Sequence, residues 1–91
     1  MIKHIVIWPM KDDVTAEQKT EMKLRLEALK GVVAELVDIE VGIDDGNGTM
    51  SLYSEFNSNE DLATYQTHPA HQEVVGFVKP LVASRAVCDY E

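Results

Sequence analysis

The sequence has only one cysteine, Cys88, and its apolar runs are far too short to cross a bilayer. A single thiol cannot form an intrachain disulfide, which is typical of proteins from a reducing compartment. The chain enters alternating sequence at once, without the charged segment and apolar stretch of a secretory leader. We therefore expect a cytoplasmic protein without a membrane partner.

Basic residues are also scarce, with 8 Lys and Arg against 16 Asp and Glu, and the formal net charge is −8. Between positions 17 and 30 the basic residues alternate with glutamates, which is typical of a solvated helix with close charge pairs. A nucleic-acid partner is therefore not expected, because no basic face is available to a phosphate backbone.

Signals for a bound metal or cofactor are weak. His68 and His71 are three residues apart, but no carboxylate or thiol stands at a convincing ligand spacing beside them. The segment Gly46-Asn47-Gly48 lacks the lysine and the following helix of a phosphate-binding loop, and it is typical of a turn. We expect neither a metal nor a cofactor.

The 91 residues, 45% of them hydrophobic, suffice for one domain covering residues 1–91. Alternation with a period of two predicts strands, and apolar spacing with capping residues predicts helices. Thr15 with Gln18 spells a capping box, and Ser58 can cap a short helix that is broken at His68-Pro69. The predicted strands cover residues 2–8, 37–43, 49–56 and 85–90, and the long helices cover 15–30 and 69–79.

The predicted order β-α-β-β-α-β is that of an α+β, ferredoxin-like protomer with helices on one side of an antiparallel sheet. The opposite side still carries apolar and aromatic residues. Such an uncovered patch usually marks an interface, so we predict a homodimer formed sheet against sheet. The residues predicted on that helix-free face are Ile5, Ile7, Tyr53, Cys88 and Tyr90.

Three residues with acid/base chemistry are predicted to reach the space between helices and sheet. Pro69 suits the first position of a helix, so His71 falls in the first turn, where the helix dipole disfavours an imidazolium. His4 shares a strand face with Trp8, and Tyr65 approaches from the preceding helix. A phenol beside a neutral histidine can exchange protons with a substrate, so Tyr65, His71 and His4 are the candidate catalytic residues.

A less specific interpretation stays open beside this one. Inward-facing histidines are also typical of hydrogen-bonded core residues. Asp89 fits either as a histidine's partner in the pocket or as an ion-pair partner of Arg85. The predicted lining of the pocket consists of Val6, Trp8, Met22, Leu26, Leu52, Ser54, Leu62, Val74, Val78, Val87 and Asp89.

Several segments together resemble the stress-responsive A/B barrel domain family, also called Dabb. They are Lys3-His4-Ile5-Val6, Asp61-Leu62 with Tyr65, His68-Pro69-Ala70-His71, Phe77-Val78-Lys79-Pro80-Leu81 and Asp89-Tyr90-Glu91. The resemblance implies a ferredoxin-like protomer that dimerises into an α/β barrel.

Within that family the opening segment is similar to polyketide cyclases of the olivetolic acid cyclase type. This similarity implies a cofactor-independent, aldol-type cyclisation in which Tyr65, His71 and His4 supply the acid/base chemistry. Trp8, Pro9 and Met22 depart from that branch, so its particular substrate does not carry over.

Two other functions remain open from the sequence. One is a non-catalytic, stress-associated binding or structural dimer, in which the histidines only satisfy polar groups in the core. The other is a cofactor-free monooxygenase, because antibiotic-biosynthesis monooxygenases share the dimeric barrel.

Overall fold

The chain forms one four-stranded sheet with three α-helices packed on one of its faces. The computed structural model describes all residues from 1 to 91. The strands are β1 (Ile2–Pro9), β2 (Asp38–Asp44), β3 (Thr49–Phe56) and β4 (Ala86–Tyr90), and the helices are α1 (Ala16–Glu27), α2 (Asn59–Thr67) and α3 (Pro69–Val78), followed by a 3₁₀ turn at Lys79–Leu81. None of these helices is both long and apolar enough to span a membrane.

The strand order is β2-β3-β1-β4, and every neighbouring pair is antiparallel. Together with the element order, this confirms the predicted ferredoxin-like α+β fold. The register sets His4 on β1 between Ser54 on β3 and Asp89 on β4. These three side chains therefore point to the same face of the sheet, because residues directly opposite each other share a face.

Helix α1 begins as the sequence predicts and ends earlier. The Thr15 hydroxyl accepts a hydrogen bond from the Gln18 backbone N–H, and the Gln18 side chain accepts one from the Thr15 N–H. The predicted end near Lys30 is wrong, because the backbone hydrogen bonds shorten to i→i−3 spacing at Leu29 and Lys30. Gly31, with φ +89°, then turns the chain away from the helix.

A one-residue break separates α2 from α3. His68 has extended backbone with ψ 135°, as residues before proline prefer, so it ends α2 and caps α3. Its Nδ1 atom accepts the backbone N–H of Ala70 at 3.0 Å. The helical break that the sequence predicted at His68-Pro69 is therefore present.

The core lies between the helices and the face of the sheet that they cover. On β3, alternate residues from Met50 to Phe56 are buried, which is the period-two pattern of a strand with one covered face. Tyr65, Phe56 and Met22 are among the largest fully buried side chains. The helix-covered face therefore supplies nearly all of the chain's apolar burial.

β4 lies at the edge of the sheet, and all five of its residues are exposed. Val87 pairs with Val6 and so shares its face, yet 43% of Val87 is exposed. Val87 is therefore not buried within this chain, because an edge strand is flanked on one side only.

Candidate functional site

A cavity of about 350 Å³ opens between the sheet and helix α3. Its lining is mostly apolar, with a few polar groups, as is typical of small-molecule sites. The lining residues are His4, Val6, Trp8, Leu26, Leu52, Tyr65, Gln66, His71, Gln72, Val75, Val78, Lys79, Val82 and Arg85.

His71 is the third residue of α3, and one of its ring nitrogens is already engaged. Nδ1 lies 3.1 Å from the backbone carbonyl of Gln66, and a carbonyl only accepts, so Nδ1 carries the proton. Burial lowers the pKa of His71, the Gln66 carbonyl opposes that change, and electrostatic interactions with His4, Arg85 and His68 lower the pKa further. His71 is therefore neutral near pH 7, with its Nε2 lone pair available as a base.

Tyr65 lies in α2 with only 1% of its surface exposed. Its hydroxyl is the one fully buried side-chain polar atom in the chain without a hydrogen-bond partner. Burial raises the pKa of this phenol, so it stays protonated and acts as a donor. An unpaired buried hydroxyl costs about 1–3 kcal/mol, which marks the position as one that lacks its partner.

The rings of Tyr65 and His71 are packed against each other rather than hydrogen-bonded. Their centroids are 4.3 Å apart with an interplanar angle of 47°, and Phe56 packs on the other side of Tyr65 at 5.0 Å. This packing holds the two side chains next to each other in the lining of the cavity. Neither the Tyr65 hydroxyl nor His71 Nε2 forms a hydrogen bond within the chain.

His4 approaches the same space from β1. Its Nδ1 atom lies 2.5 Å from a carboxylate oxygen of Asp89, and the histidine side chain is 5% exposed against 36% for the aspartate. The carboxylate orients the ring in the way that buried carboxylate–histidine pairs do, and Nε2 makes no hydrogen bond within the chain. Asp89 thus pairs with His4 rather than with Arg85.

The lining of the cavity has a buried part and an exposed part with different chemistry. His4, Trp8 and Tyr65 are buried, whereas Gln72, Lys79 and Arg85 are exposed. We call these three exposed lining residues the mouth of the cavity. The buried part holds His4 and the Tyr65 phenol, and the mouth holds two cations.

The structure brings all three candidate catalytic residues to this cavity, together with five of the predicted lining residues. Val6, Trp8, Leu26, Leu52 and Val78 line it. The other predicted lining residues lie elsewhere. Met22, Ser54 and Leu62 are buried in the core, Val74 is half-buried on α3, Val87 is exposed, and Asp89 reaches the site only through His4.

The lining residues that the sequence did not predict are Gln66, Gln72, Val75, Lys79, Val82 and Arg85. For Val75 and Lys79 the sequence contains a signal, because each lies one helical turn beyond a residue that also lines the cavity, His71 and Val75 respectively. The other four depend on the path of the chain around α2, α3 and the 3₁₀ turn, which residue spacing does not specify. No group of three or more histidine, cysteine or acidic side chains lies close enough together to hold a metal ion.

The description "Stress responsive A/B Barrel Domain" applies to the family whose sequence model matches residues 2–91. The chain therefore belongs to this family. It is 35% identical, over 80 residues, to a stress-response A/B barrel domain-containing protein of Arabidopsis thaliana. That match covers 82% of this chain and 30% of the Arabidopsis protein, so the chain spans less than a third of that relative.

Solved structures share the fold over nearly the whole chain. A dimeric protein of unknown function with a ferredoxin-like fold, from Bacteroides fragilis, is 34% identical with a TM-score of 0.82, covering 99% of this chain and 94% of that one. A crystal structure of an Arabidopsis thaliana protein is 26% identical with a TM-score of 0.89, covering 100% and 94%. Hydroxynitrile lyase from Passiflora edulis, at 21% identity and a TM-score of 0.83 with coverage of 98% and 90%, shares the fold alone.

Proposed function

We propose that this protein binds a small, largely apolar carbonyl compound and catalyses cofactor-independent acid/base chemistry on it. The observation that carries the proposal is that Tyr65, a lining residue of the cavity, has a buried hydroxyl without a partner and packs against a neutral His71. A bound carbonyl oxygen would satisfy that hydroxyl. The same position would bring the carbon next to the carbonyl close to His71.

The proposed step is removal of a proton from that carbon. His71 Nε2 forms the new N–H bond as the C–H bond breaks, and the electron pair moves onto the carbonyl oxygen. The Tyr65 hydroxyl donates a hydrogen bond to the resulting enolate, where charge develops. His4, whose Nδ1 is paired with Asp89, would bind a second oxygen through Nε2.

The outcome that we favour for this enolate is carbon–carbon bond formation or cleavage of the polyketide cyclase or lyase type. The enolate carbon attacks a second carbonyl of the same molecule, and the alkoxide that forms takes the proton held by His71. The reverse sequence cleaves the bond. The similarity of the opening segment to cyclases of the olivetolic acid cyclase type supports this choice, as does the lyase among the proteins that share the fold.

Deuterium exchange tests the proton-abstraction step without knowledge of the natural substrate. The neutral ketone 4-phenylbutan-2-one is incubated in D₂O with the protein, and loss of its protons next to the carbonyl is followed by ¹H NMR. We expect faster exchange with the native protein and buffer-level exchange with His71→Ala. Acceleration that survives His71→Ala, or none in a panel of such ketones that bind, would overturn the proposal.

A non-catalytic binding or structural dimer is the second candidate. It is favoured by the His4–Asp89 pair, because a histidine held by a carboxylate and packed edge-on at 6.4 Å from Phe56 is also a well-satisfied core residue. In that case ketones would bind without exchange. Replacing His4 or His71 would change stability only.

We further propose that two copies associate through the helix-free face of the sheet. Ile7 is 39% exposed and Tyr90 is 48% exposed there, although both are large apolar residues on a regular strand. The Bacteroides fragilis relative is itself described as dimeric. Light scattering at micromolar concentration is expected to give twice the mass of the chain, and a monomer would refute this arrangement.

A cytoplasmic location and a single domain over residues 1–91 complete the proposal. The free, exposed thiol of Cys88 suits a reducing compartment. The family match over residues 2–91 leaves no segment for a second domain within this sequence. Cell fractionation and limited proteolysis test the two statements separately.

A further inference from the structure

We infer that the natural ligand carries an anionic group, which Lys79 and Arg85 bind at the mouth while its apolar body occupies the cavity. This inference rests on the proposed function, because it names the class of molecule that the same cavity takes. It adds a polar end that the acid/base residues do not require. Lys79 and Arg85 line the same cavity as Tyr65 and His71.

The charge of the mouth is the first observation. Lys79 and Arg85 both line the cavity, and no aspartate or glutamate lines it with them. The chain as a whole carries a net charge of −8 and has only eight basic residues. Two of those eight thus lie at one opening of 14 lining residues, in a protein whose remaining surface repels anions.

The lack of internal partners is the second observation. Of the other six basic side chains, Lys23, Arg25 and Lys30 each pair with a carboxylate at 2.7–3.0 Å, whereas Lys3, Lys11 and Lys19 form no ion pair. Lys79 and Arg85 form no ion pair and donate no side-chain hydrogen bond within the chain. Their charges are therefore available to a ligand.

The contrast with Tyr65 gives the ligand a direction. The buried part of the lining offers one hydrogen-bond donor without a partner, and a neutral carbonyl satisfies it. The mouth offers two cations, and an Arg guanidinium pairs with a carboxylate or phosphate through parallel hydrogen bonds. An apolar acid therefore lies with its anionic group outward and its reacting carbonyl inward.

The positive charge of Arg85 also acts on His71. Arg85 is one of the charges that lower the pKa of His71. An anion bound at Arg85 offsets that charge, so the pKa of His71 is expected to rise when such a ligand binds. This gives a signal from inside the cavity that non-specific binding of an acid elsewhere would not produce.

Three probes of similar shape separate the chemistry of the ligand. They are 3-phenylpropanoate, its neutral isostere 3-phenylpropanamide, and 2-phenylethyl phosphate, each titrated by NMR at low salt. We expect the propanoate or the phosphate to bind at least about tenfold more tightly than the amide, the size of one hydrogen bond to a charged group. Preference between the two anions distinguishes a free carboxylic acid from a phosphate ester.

Charge-removal variants locate the binding. Arg85→Gln and Lys79→Gln are expected to remove that preference, because each substitution weakens binding of the anions much more than binding of the amide. Both residues are exposed, so the fold is expected to tolerate the changes. Lys19→Gln is the matched control, because it removes one positive charge from α1, away from the cavity, and is expected to preserve the preference.

The results overturn the inference if the amide binds as tightly as both anions, or if Arg85→Gln weakens acid and amide equally. It is also overturned if the anion binds but the His71 titration does not move. If instead only the proposed catalysis fails, the binding and exchange measurements give a different pattern. In that case the anion preference and its loss in Arg85→Gln persist, while ketone exchange stays at the buffer rate.

Discussion

Two tyrosines on opposite sides of the sheet, Tyr53 on strand β3 and Tyr65 on helix α2, differ in whether their hydroxyl groups have a hydrogen-bond partner. On the helix-free face, the Tyr53 hydroxyl donates to a Glu55 carboxylate oxygen at 2.5 Å. This hydrogen bond raises the pKa of Tyr53 to about 12, with smaller contributions from burial and nearby acids. On the helix-covered face, the Tyr65 hydroxyl is sealed from water and has no partner.

The difference shows where this protein tolerates an unfavourable local arrangement. The Tyr53 hydroxyl has Glu55 as its hydrogen-bond partner, although it lies where water could take the place of that partner. Tyr65 lies where nothing within the chain can replace a missing partner, so its desolvation is uncompensated. Uncompensated polar groups of this kind gather at functional sites, where a ligand completes them.

The strongest test of this difference between Tyr65 and Tyr53 is to remove each hydroxyl group in turn. Tyr65→Phe is expected to slow ketone exchange by about 100-fold, the usual effect of losing a donor to a developing oxyanion. The same change is expected to leave the free energy of unfolding unchanged or to raise it by about 1 kcal/mol, because a buried unpaired group is removed. NMR exchange rates and urea denaturation measure the two effects.

Tyr53→Phe is the control for that experiment. It removes a phenol that already has a partner on the other face, so exchange should stay at the native rate. If both substitutions slow exchange equally, the two faces do not differ in function.

A charge placed on the helix-free face is the next largest test. Ile7→Glu is expected to raise the dissociation constant of the proposed dimer about 30-fold, corresponding to about 2 kcal/mol for a buried unpaired charge. Sedimentation equilibrium measures it. Val32→Glu adds the same charge at a loop position that is 59% exposed and should leave the dissociation constant as it is.

The His4–Asp89 pair lies on the helix-covered face and the Tyr53–Glu55 pair lies on the helix-free face. Removing the carboxylate of each pair compares how much the two pairs contribute to the free energy of unfolding. Asp89→Ala is expected to lower the free energy of unfolding by about 1–2 kcal/mol, because the buried ring N–H of His4 loses its acceptor. Glu55→Ala should have a much smaller effect, since the Tyr53 hydroxyl can turn to water. Urea denaturation at one fixed protein concentration gives both values, and equal losses would contradict the comparison.

The smallest expected effect is the pH dependence that His71 contributes. Burial lowers its pKa in the folded protein below the ordinary 6.5, so the unfolded chain takes up the proton first as pH falls. The stabilisation by neutral His71 is complete above about pH 6.5 and is lost as pH falls through the folded-state pKa. Denaturation series from pH 7.5 to 5.5 should therefore slope less in His71→Gln than in the native protein.

Much of the fold follows from the sequence because its determinants are local. The Thr15–Gln18 capping box, the Ser58 cap and the proline at position 69 each act within a few residues, and each marks a helix start that the structure contains. Period-two alternation likewise identifies all four strands. The early end of helix α1 could not be predicted, because a change to i→i−3 hydrogen bonds leaves no signature in residue type.

The site was predictable only in part because its remainder depends on pairing between distant residues. His4 and Asp89 are 85 positions apart, and the register of β1 with β4 alone makes them partners. Arg85 and Lys79 reach the cavity through the path of the chain between α3 and β4. Burial of Tyr65 is suggested by helical spacing, but the absence of a partner for its hydroxyl requires the surrounding atoms.

The break between α2 and α3 has a consequence for how this site tolerates mutation. In an unbroken helix the Ala70 N–H would bond the Gln66 carbonyl, but His68 takes that N–H instead, and the carbonyl accepts from His71 and Gln72. The tautomer of the base is therefore set by a main-chain atom, which every residue type at position 66 supplies. Side chains around the cavity can diverge to suit new ligands while the proton on His71 stays on the same nitrogen.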